Sequence, residues 1–336
     1  MKKTFIAVMA ISLLAVSCSK NSMVETNQNV VSQICFDNLT TKAEVTAASQ
    51  IEAFGVFAEQ NGTSQGDVFV SLLENERVYR DENSDFKYDS TRYWMNNSTF
   101  RFFAYYPYLS GSNATGITAI TPTPNATEFP DFNISFVTPE TADADMLVDS
   151  KVISIADEPT YPTVDFKFSH AVSKVKLQIA KHGKNSENLI KITSIVFGGI
   201  AKSGTYNTLT EEWSDHADKL SLSSFSAETP LVLDANNITF QNVISGMFIP
   251  QDINLNSKTI FIEIAYDFYT QDENNEWVKD DESYTATSYL PVGKWEPSQS
   301  YVYKLTLSAV DNTISFKSPE VASWGSPNPS GTLIIQ

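Results

Sequence analysis

Cysteine is nearly absent from this chain: 336 residues hold two, Cys18 and Cys35. A disulfide framework is thereby excluded, because two cysteines allow at most one bridge. Histidine is almost as scarce, with His170, His182 and His216 the full set. None has the HExxH spacing or another ligand pair that a zinc site needs. Ser169 and His170 are neighbours in sequence, which builds no triad, and no GxSxG elbow or glycine-rich phosphate loop occurs. The paired acids Glu211-Glu212 and Asp280-Asp281 suit hydrophilic hairpins rather than opposed glycosidase carboxylates. The clusters Asp143/Asp145/Asp149 and Asp280/Asp281/Glu282 lack the twelve-residue calcium loop with its central glycine. No catalytic residue, metal or cofactor is expected.

Basic residues are also few, 23 Lys and Arg against 40 Asp and Glu, for a formal charge of −17. A surface of that sign repels nucleic acid and anionic lipid. Beyond residue 18 no apolar run is long enough for a membrane-spanning helix, which takes about 20 residues. Helical amphipathicity is weak as well: the segment 140–150 could hold one turn, and 67–76 is ambiguous.

What is present begins at the N-terminus. Lys2 and Lys3 precede an apolar segment from Phe5 to Val16, followed by Ser17 and Cys18. A charged n-region, a short h-region and a small residue before the cut describe an export signal, residues 1–17. Cleavage between Ser17 and Cys18 leaves an N-terminal cysteine that can be diacylated in a bacterial envelope, so the mature protein is expected to be anchored to a membrane by lipid. Ala15, where Leu is commoner, is the one departure from that pattern. The polar segment from Ser19 to Gln28 reads as a tether.

The remaining body of about 320 residues suits two domains better than one. Its 21 Phe, 14 Tyr and 5 Trp, with many Ser, Thr and Asn, favour strands. Period-two alternation marks strands in Val164–Phe168, Val175–Ile179, Phe100–Tyr106, Ile260–Tyr266 and Tyr301–Leu307. In Phe100–Tyr106 and Ile260–Tyr266 the outward set is also partly apolar, so both faces are expected to be covered. Turn-forming runs such as Asn61-Gly62 and Asp272-Glu273-Asn274-Asn275 separate the strands. The fold class is all-β, with antiparallel sandwiches, and Asp157–Pro162 is the expected boundary between halves 43–160 and 161–336. Val30–Phe36 reads as a strand of its own, and Leu39-Thr40-Thr41-Lys42-Ala43 as a solvated loop with one basic residue. Lone loop lysines are ordinarily just hydrated; this one also has the form of a protease site.

Several blocks carry a family resemblance. Tyr93-Trp94-Met95 with Phe100-Arg101-Phe102-Phe103-Ala104-Tyr105-Tyr106-Pro107, and Phe166-Lys167-Phe168-Ser169-His170-Ala171-Val172-Ser173-Lys174-Val175, resemble the fimbrillin family of Bacteroides-type bacteria, whose members build type V pili. The likeness continues in Leu290-Pro291-Val292-Gly293-Lys294-Trp295, Tyr301-Val302-Tyr303-Lys304-Leu305, Ile314-Ser315-Phe316 and Val321-Ala322-Ser323-Trp324. It implies two transthyretin-like β-sandwich domains in series. It also implies a fimbrial subunit of the cell surface, serving adhesion, whose lipidated precursor is cut in the loop after the first strand. Thr40-Thr41-Lys42-Ala43 occupies that place, with the cut between Lys42 and Ala43.

On this expectation residues 18–42 form a tether and a removable strand, with Val30, Ile34 and Phe36 as its apolar plugs. Excising an edge strand leaves unpaired N–H and C=O groups and exposed core, which a strand from another subunit can cover. Head-to-tail repetition of that step gives an open filament. The segment 332–336, with Leu333 and Ile335 as plugs, reads equally as such a donor or as an ordinary edge strand. A competing function is a permanently lipid-anchored surface protein, either a pilus anchor or a binder of glycans through Trp213, Trp277 and Trp295. The glycan reading requires Trp213 and Trp277 to lie coplanar and exposed in one groove.

Overall fold

The structure is a computed structural model that describes residues 23–26, 29–41, 50–62, 69–111, 116–123, 129–156, 161–182, 188–234, 239–254, 259–291, 293–309, 311–324 and 331–332. Among the described residues the regular structure is strand, and no α-helix occurs. The all-β expectation therefore holds. The segment expected to contain a helical turn is instead a turn at Glu140-Thr141, irregular backbone, and then the strand Leu147–Ile155. The ambiguous 67–76 segment leads into the strand Val70–Arg80. Most of the expected boundary, 157–160, lies outside the described residues.

Three large sheets carry the fold. The first runs, in spatial order, Phe36–Thr41, Val164–His170, Leu147–Ile155, Ser98–Tyr106, Ala53–Gly62, Val70–Arg80 and Phe86–Lys87. The second runs Trp277–Tyr289, Phe261–Gln271, Asn188–Asn207, Phe132–Val137 and Ile117–Pro122, with Glu212–Ser224 and Leu231–Leu233 also paired to Asn188–Asn207. The third runs Gln241–Phe248, Ser173–Lys181, Gln299–Ser308, Glu320–Ser323 and Gly331–Thr332, with Thr313–Phe316 on the third of these. Among the described strands pairing is antiparallel except at two places: Phe36–Thr41 on Val164–His170, and Ser173–Lys181 on Gln299–Ser308. Val164–His170 thus completes a sheet built from earlier strands, and the 20-residue strand Asn188–Asn207 reaches back to pair with Phe132–Val137.

The cores follow from the alternation. Val175, Leu177 and Ile179 of the third sheet meet Ile190, Ile192, Ile262 and Ile264 of the second in one aliphatic core. In that core Trp295 is fully buried, and its Nε1 donates to the Tyr303 hydroxyl at 3.0 Å. Burial pushes the Tyr303 phenol well above the ordinary tyrosine range, so it stays a neutral hydrogen-bonding group.

The first sheet has an aromatic core on one face, with Phe54, Phe100, Phe102, Phe166 and Phe168. Its opposite face presents Phe103 and Tyr105 to Phe132, Ile134 and Phe136 in a third cluster. The strand Ser98–Tyr106 is therefore buried on both faces, as the partly apolar outward set of Phe100–Tyr106 predicts, and the covering surface is the hairpin of Ile117–Pro122 and Phe132–Val137.

Burial of this kind sets the scale for mutation. Phe102→Ala, at a fully buried position, is expected to cost about 3–5 kcal/mol, whereas the exposed Val152→Ala should stay within about 0.5 kcal/mol of wild type, both read by urea unfolding.

Candidate functional site: the first strand and its groove

Residues 32–41 form an extended segment held on both sides. Ile34 N–H donates to the Arg92 carbonyl and Trp94 N–H to the Ser32 carbonyl, each at 2.9 Å, and Gln33 bridges Tyr93 in antiparallel fashion. Val164 N–H then donates to the Cys35 carbonyl at 2.8 Å, and Phe36–Thr41 continues parallel to Val164–Phe168. The Tyr88 hydroxyl clips the crossover: it donates to the Ile34 carbonyl at 2.9 Å and accepts from Arg92 N–H at 3.1 Å. The segment is the terminal strand of its sheet.

Its side chains complete the aromatic core. Ile34 and Phe36 are 0% and 3% exposed. The Phe36 ring stacks on Phe166 at 6.0 Å and meets Tyr88, Phe102 and Phe54 edge-on at 5.3, 6.3 and 6.4 Å. Leu39, read from the sequence as part of a solvated loop, is only 8% exposed and lies in the same core.

The reason is a bulge. Asp37 pairs with Asp165 and Thr40 with Lys167, so Asn38 and Leu39 together stand opposite the single residue Phe166. Asn38 sits at φ +31°, and its N–H donates to the Asp37 carboxylate at 2.9 Å. Asn and Asp enter this backbone region at less cost than branched residues do. Strict alternation would turn Leu39 outward; the extra residue turns it in. Leu39, Tyr88 and Arg92 are the residues that sequence reasoning missed; Asp37-Asn38, a turn-type pair, hints at an irregularity without fixing the direction of Leu39.

The other expected site residues are placed as follows. Val30 lies in the strand Asn29–Ser32 opposite Glu25; its side chain is outside the described residues. Ser17, Cys18, Lys42, Ala43, Leu333 and Ile335 are outside the described residues altogether. The strand Phe36–Thr41 ends immediately before Lys42. Thr332 and Gly331 pair with Glu320 and Val321 at the end of the third sheet.

Groups weighed for other chemistry disperse. His170 Nδ1 meets the Asp145 carboxylate at 2.8 Å, and its ring stacks on Trp324 with centroids 3.8 Å apart, fully buried. His216 contacts the Pro250 carbonyl through Nε2 at 2.8 Å. Asp149 accepts from Lys167 N–H at 2.7 Å, and Asp143 from the Thr141 hydroxyl at 2.6 Å. Among the described residues no three His, Cys, Asp or Glu converge as a metal site would require. Trp213 is half-buried beside Phe136 and Tyr206 and donates to the Ala171 carbonyl at 2.7 Å. Trp277 is 40% exposed beside Gln271. Trp213 pairs near Tyr206, while Trp277 lies near the Asn188 end of the same long strand, so the two do not share a groove.

Comparison with known proteins adds three observations. A family model described as fimbrillin-like matches residues 41–324. A crystal structure of a fimbrial protein from Bacteroides vulgatus is 18% identical, with a TM-score of 0.67 over 87% of this chain and 99% of that one. A Bacteroides ovatus structure described in terms of cell adhesion is 17% identical, with a TM-score of 0.50 over 88% of this chain and 98% of that one. At these identities the two structures share the fold. No curated protein matches the chain.

The Tyr88 clip can be tested directly. Tyr88→Phe removes a hydroxyl paired with Ile34 and Arg92 and is expected to cost about 1–3 kcal/mol. Hydrogen exchange should then accelerate first at the amides of Ile34 and Trp94; uniform acceleration across the first sheet would contradict the local role.

Proposed function

Because the chain belongs to the fimbrillin-like family, we propose that it is a structural subunit of a cell-surface fimbria that serves adhesion, exported as a lipoprotein precursor and activated by loss of its first strand. The observation that carries this reading is the seating of residues 32–41. They form an edge strand, fill an aromatic core, and end at the residue before Lys42.

Lipid on Cys18 holds the precursor at the outer membrane. Cleavage between Lys42 and Ala43 separates the strand from the body, and the strand can then leave. Val164–Phe168 loses its pairing with Phe36–Thr41, while the Tyr88 hydroxyl and the Arg92 carbonyl lose their bonds to Ile34 and the Trp94 N–H its bond to Ser32. The groove is then a sheet edge lined by Phe54, Phe102 and Phe166, and a strand from another subunit closes it by β-strand addition. Val30, Ile34 and Phe36 are the plugs withdrawn; Leu333 and Ile335 of the segment 332–336 offer two of the apolar side chains that a replacement needs. The partners are therefore other fimbrial subunits, and the role requires no catalytic residue or cofactor.

The separation of Trp213 from Trp277 removes the support for stacking a sugar between them. An anchor subunit that keeps its lipid remains the second reading, because it needs the same fold and only omits the cut.

Lys42→Ala should abolish SDS-resistant oligomer ladders in surface material, and mass spectrometry of the wild-type ladder should find chains beginning at Ala43. Ladders that persist in the variant would refute processing at Lys42. Wild-type chains that all begin at acylated Cys18 would favour the anchor.

A further inference from the structure

The groove around residues 32–41 has a register that ordinary alternating strands do not meet. Its apolar positions are filled by Ile34, Phe36 and Leu39. The first two are separated by one residue and the last two by two, because Asn38 and Leu39 both stand opposite Phe166. In this groove the occupant meets that spacing with the residue before Leu39 in the left-handed region, Asn38 at φ +31°. Direction is fixed too: the occupant runs parallel to Val164–Phe168 and antiparallel to Arg92–Trp94.

The same arrangement occurs a second time in the molecule. In Ile195-Val196-Phe197-Gly198-Gly199-Ile200 the three apolar residues Ile195, Phe197 and Ile200 have the spacing of Ile34, Phe36 and Leu39, and all are fully buried. The pairing with Glu212–Ser224 slips between Phe197 and Ile200. Gly199, at the place equivalent to Asn38, has φ +79°. Two strands thus aim a third apolar residue into the core from a left-handed residue just before it, whereas Ile190, Ile192 and Ile195 reach the same spacing across the slip at Ile192/Ser194 without one. Glycine fills that role in one instance and asparagine in the other.

We propose that the groove selects its incoming strand by this bulged register. The accepted partner is an extended segment of another subunit with apolar side chains at its first, third and sixth positions. Its fifth position holds a residue that tolerates positive φ, namely Asn, Gly or Asp. A strand that alternates strictly can match the first two positions, but its next inward residue arrives one place early and the site of Leu39 is left to a residue pointing to solvent. A β-branched residue at the fifth position resists the required backbone. Selection therefore acts on backbone conformation as well as on hydrophobicity. It discriminates among subunit strands that are equally apolar, and it opposes insertion of the wrong segment or the right segment slipped by one residue.

This specificity rests on the strand-replacement reading above, and the test separates the two. Full-length protein carrying an inserted protease site between Lys42 and Ala43 is cut and then offered four fluorescent peptides. These are the segment 32–41 itself and the same peptide with Asn38→Gly, with Asn38→Val, and with Asn38 deleted. Incorporation is followed by anisotropy and by native mass spectrometry. The parent and Asn38→Gly peptides should enter within about threefold of each other, and the Asn38→Val and deleted peptides at least about tenfold more weakly. Equal entry of all four would overturn the register proposal and leave strand replacement intact. Entry of none, the parent included, would overturn strand replacement and the register proposal with it. Tight entry of the parent alone, with Asn38→Gly excluded, would show that the asparagine side chain is read and would overturn the backbone argument.

Discussion

The parallel edge of Val164–His170 has to be covered. This strand offers backbone groups to Phe36–Thr41 on one side and to Leu147–Ile155 on the other, and its Phe166 and Phe168 help form the aromatic core. The three buried side chains Ile34, Phe36 and Leu39 contribute roughly 1.5–3 kcal/mol each by burial. Their sum is comparable with the whole net stability of an ordinary domain, about 5–15 kcal/mol. A chain that loses this strand is therefore driven either to unfold locally or to acquire a replacement, and the same hydrogen-bonding groups that hold the strand in place define what the replacement must look like.

The rest of the architecture has support that the first strand does not supply. The first sheet is packed on its opposite face against Phe132, Ile134 and Phe136 through Phe103 and Tyr105, so the groove's floor does not depend on the departing strand alone. Asn188–Asn207 pairs with Phe261–Gln271 along one part of its length and with Phe132–Val137 at its far end. A continuous backbone ladder thereby connects the aliphatic core to the hairpin that supports the first sheet. Ala171 and Val172, in the link between Val164–His170 and Ser173–Lys181, are buried in the cluster that also holds Trp324 and Met146.

Much of this was legible in the residues because alternation reports burial directly. Val164-Asp165-Phe166-Lys167-Phe168 has its apolar set inside and Lys167 exposed, and the aromatic run from Phe100 to Tyr106 foretold a strand covered on both faces. Leu39 was not legible, since its inward direction depends on a backbone angle at Asn38 and not on its own spacing. The parallel pairing of Phe36–Thr41 with Val164–His170 was equally hidden: it joins segments far apart in the chain, and no local signal fixes the partner or the direction. Tyr88 illustrates the same limit, because a tyrosine near a turn gives no sign that its hydroxyl will meet the Ile34 carbonyl. The buried stack of His170 on Trp324 joins a strand end to a C-terminal segment, which sequence spacing alone does not relate.

If residues 32–41 are a replaceable part of the fold, their departure has a direct readout: the size distribution of purified full-length protein before and after a cut placed between Lys42 and Ala43, with hydrogen exchange followed at Val164–Phe168. The account predicts monomers before the cut, and afterwards oligomers that have lost the first strand yet keep those amides protected. A cut chain that stays monomeric, retains residues 32–41 and shows unchanged protection would contradict it.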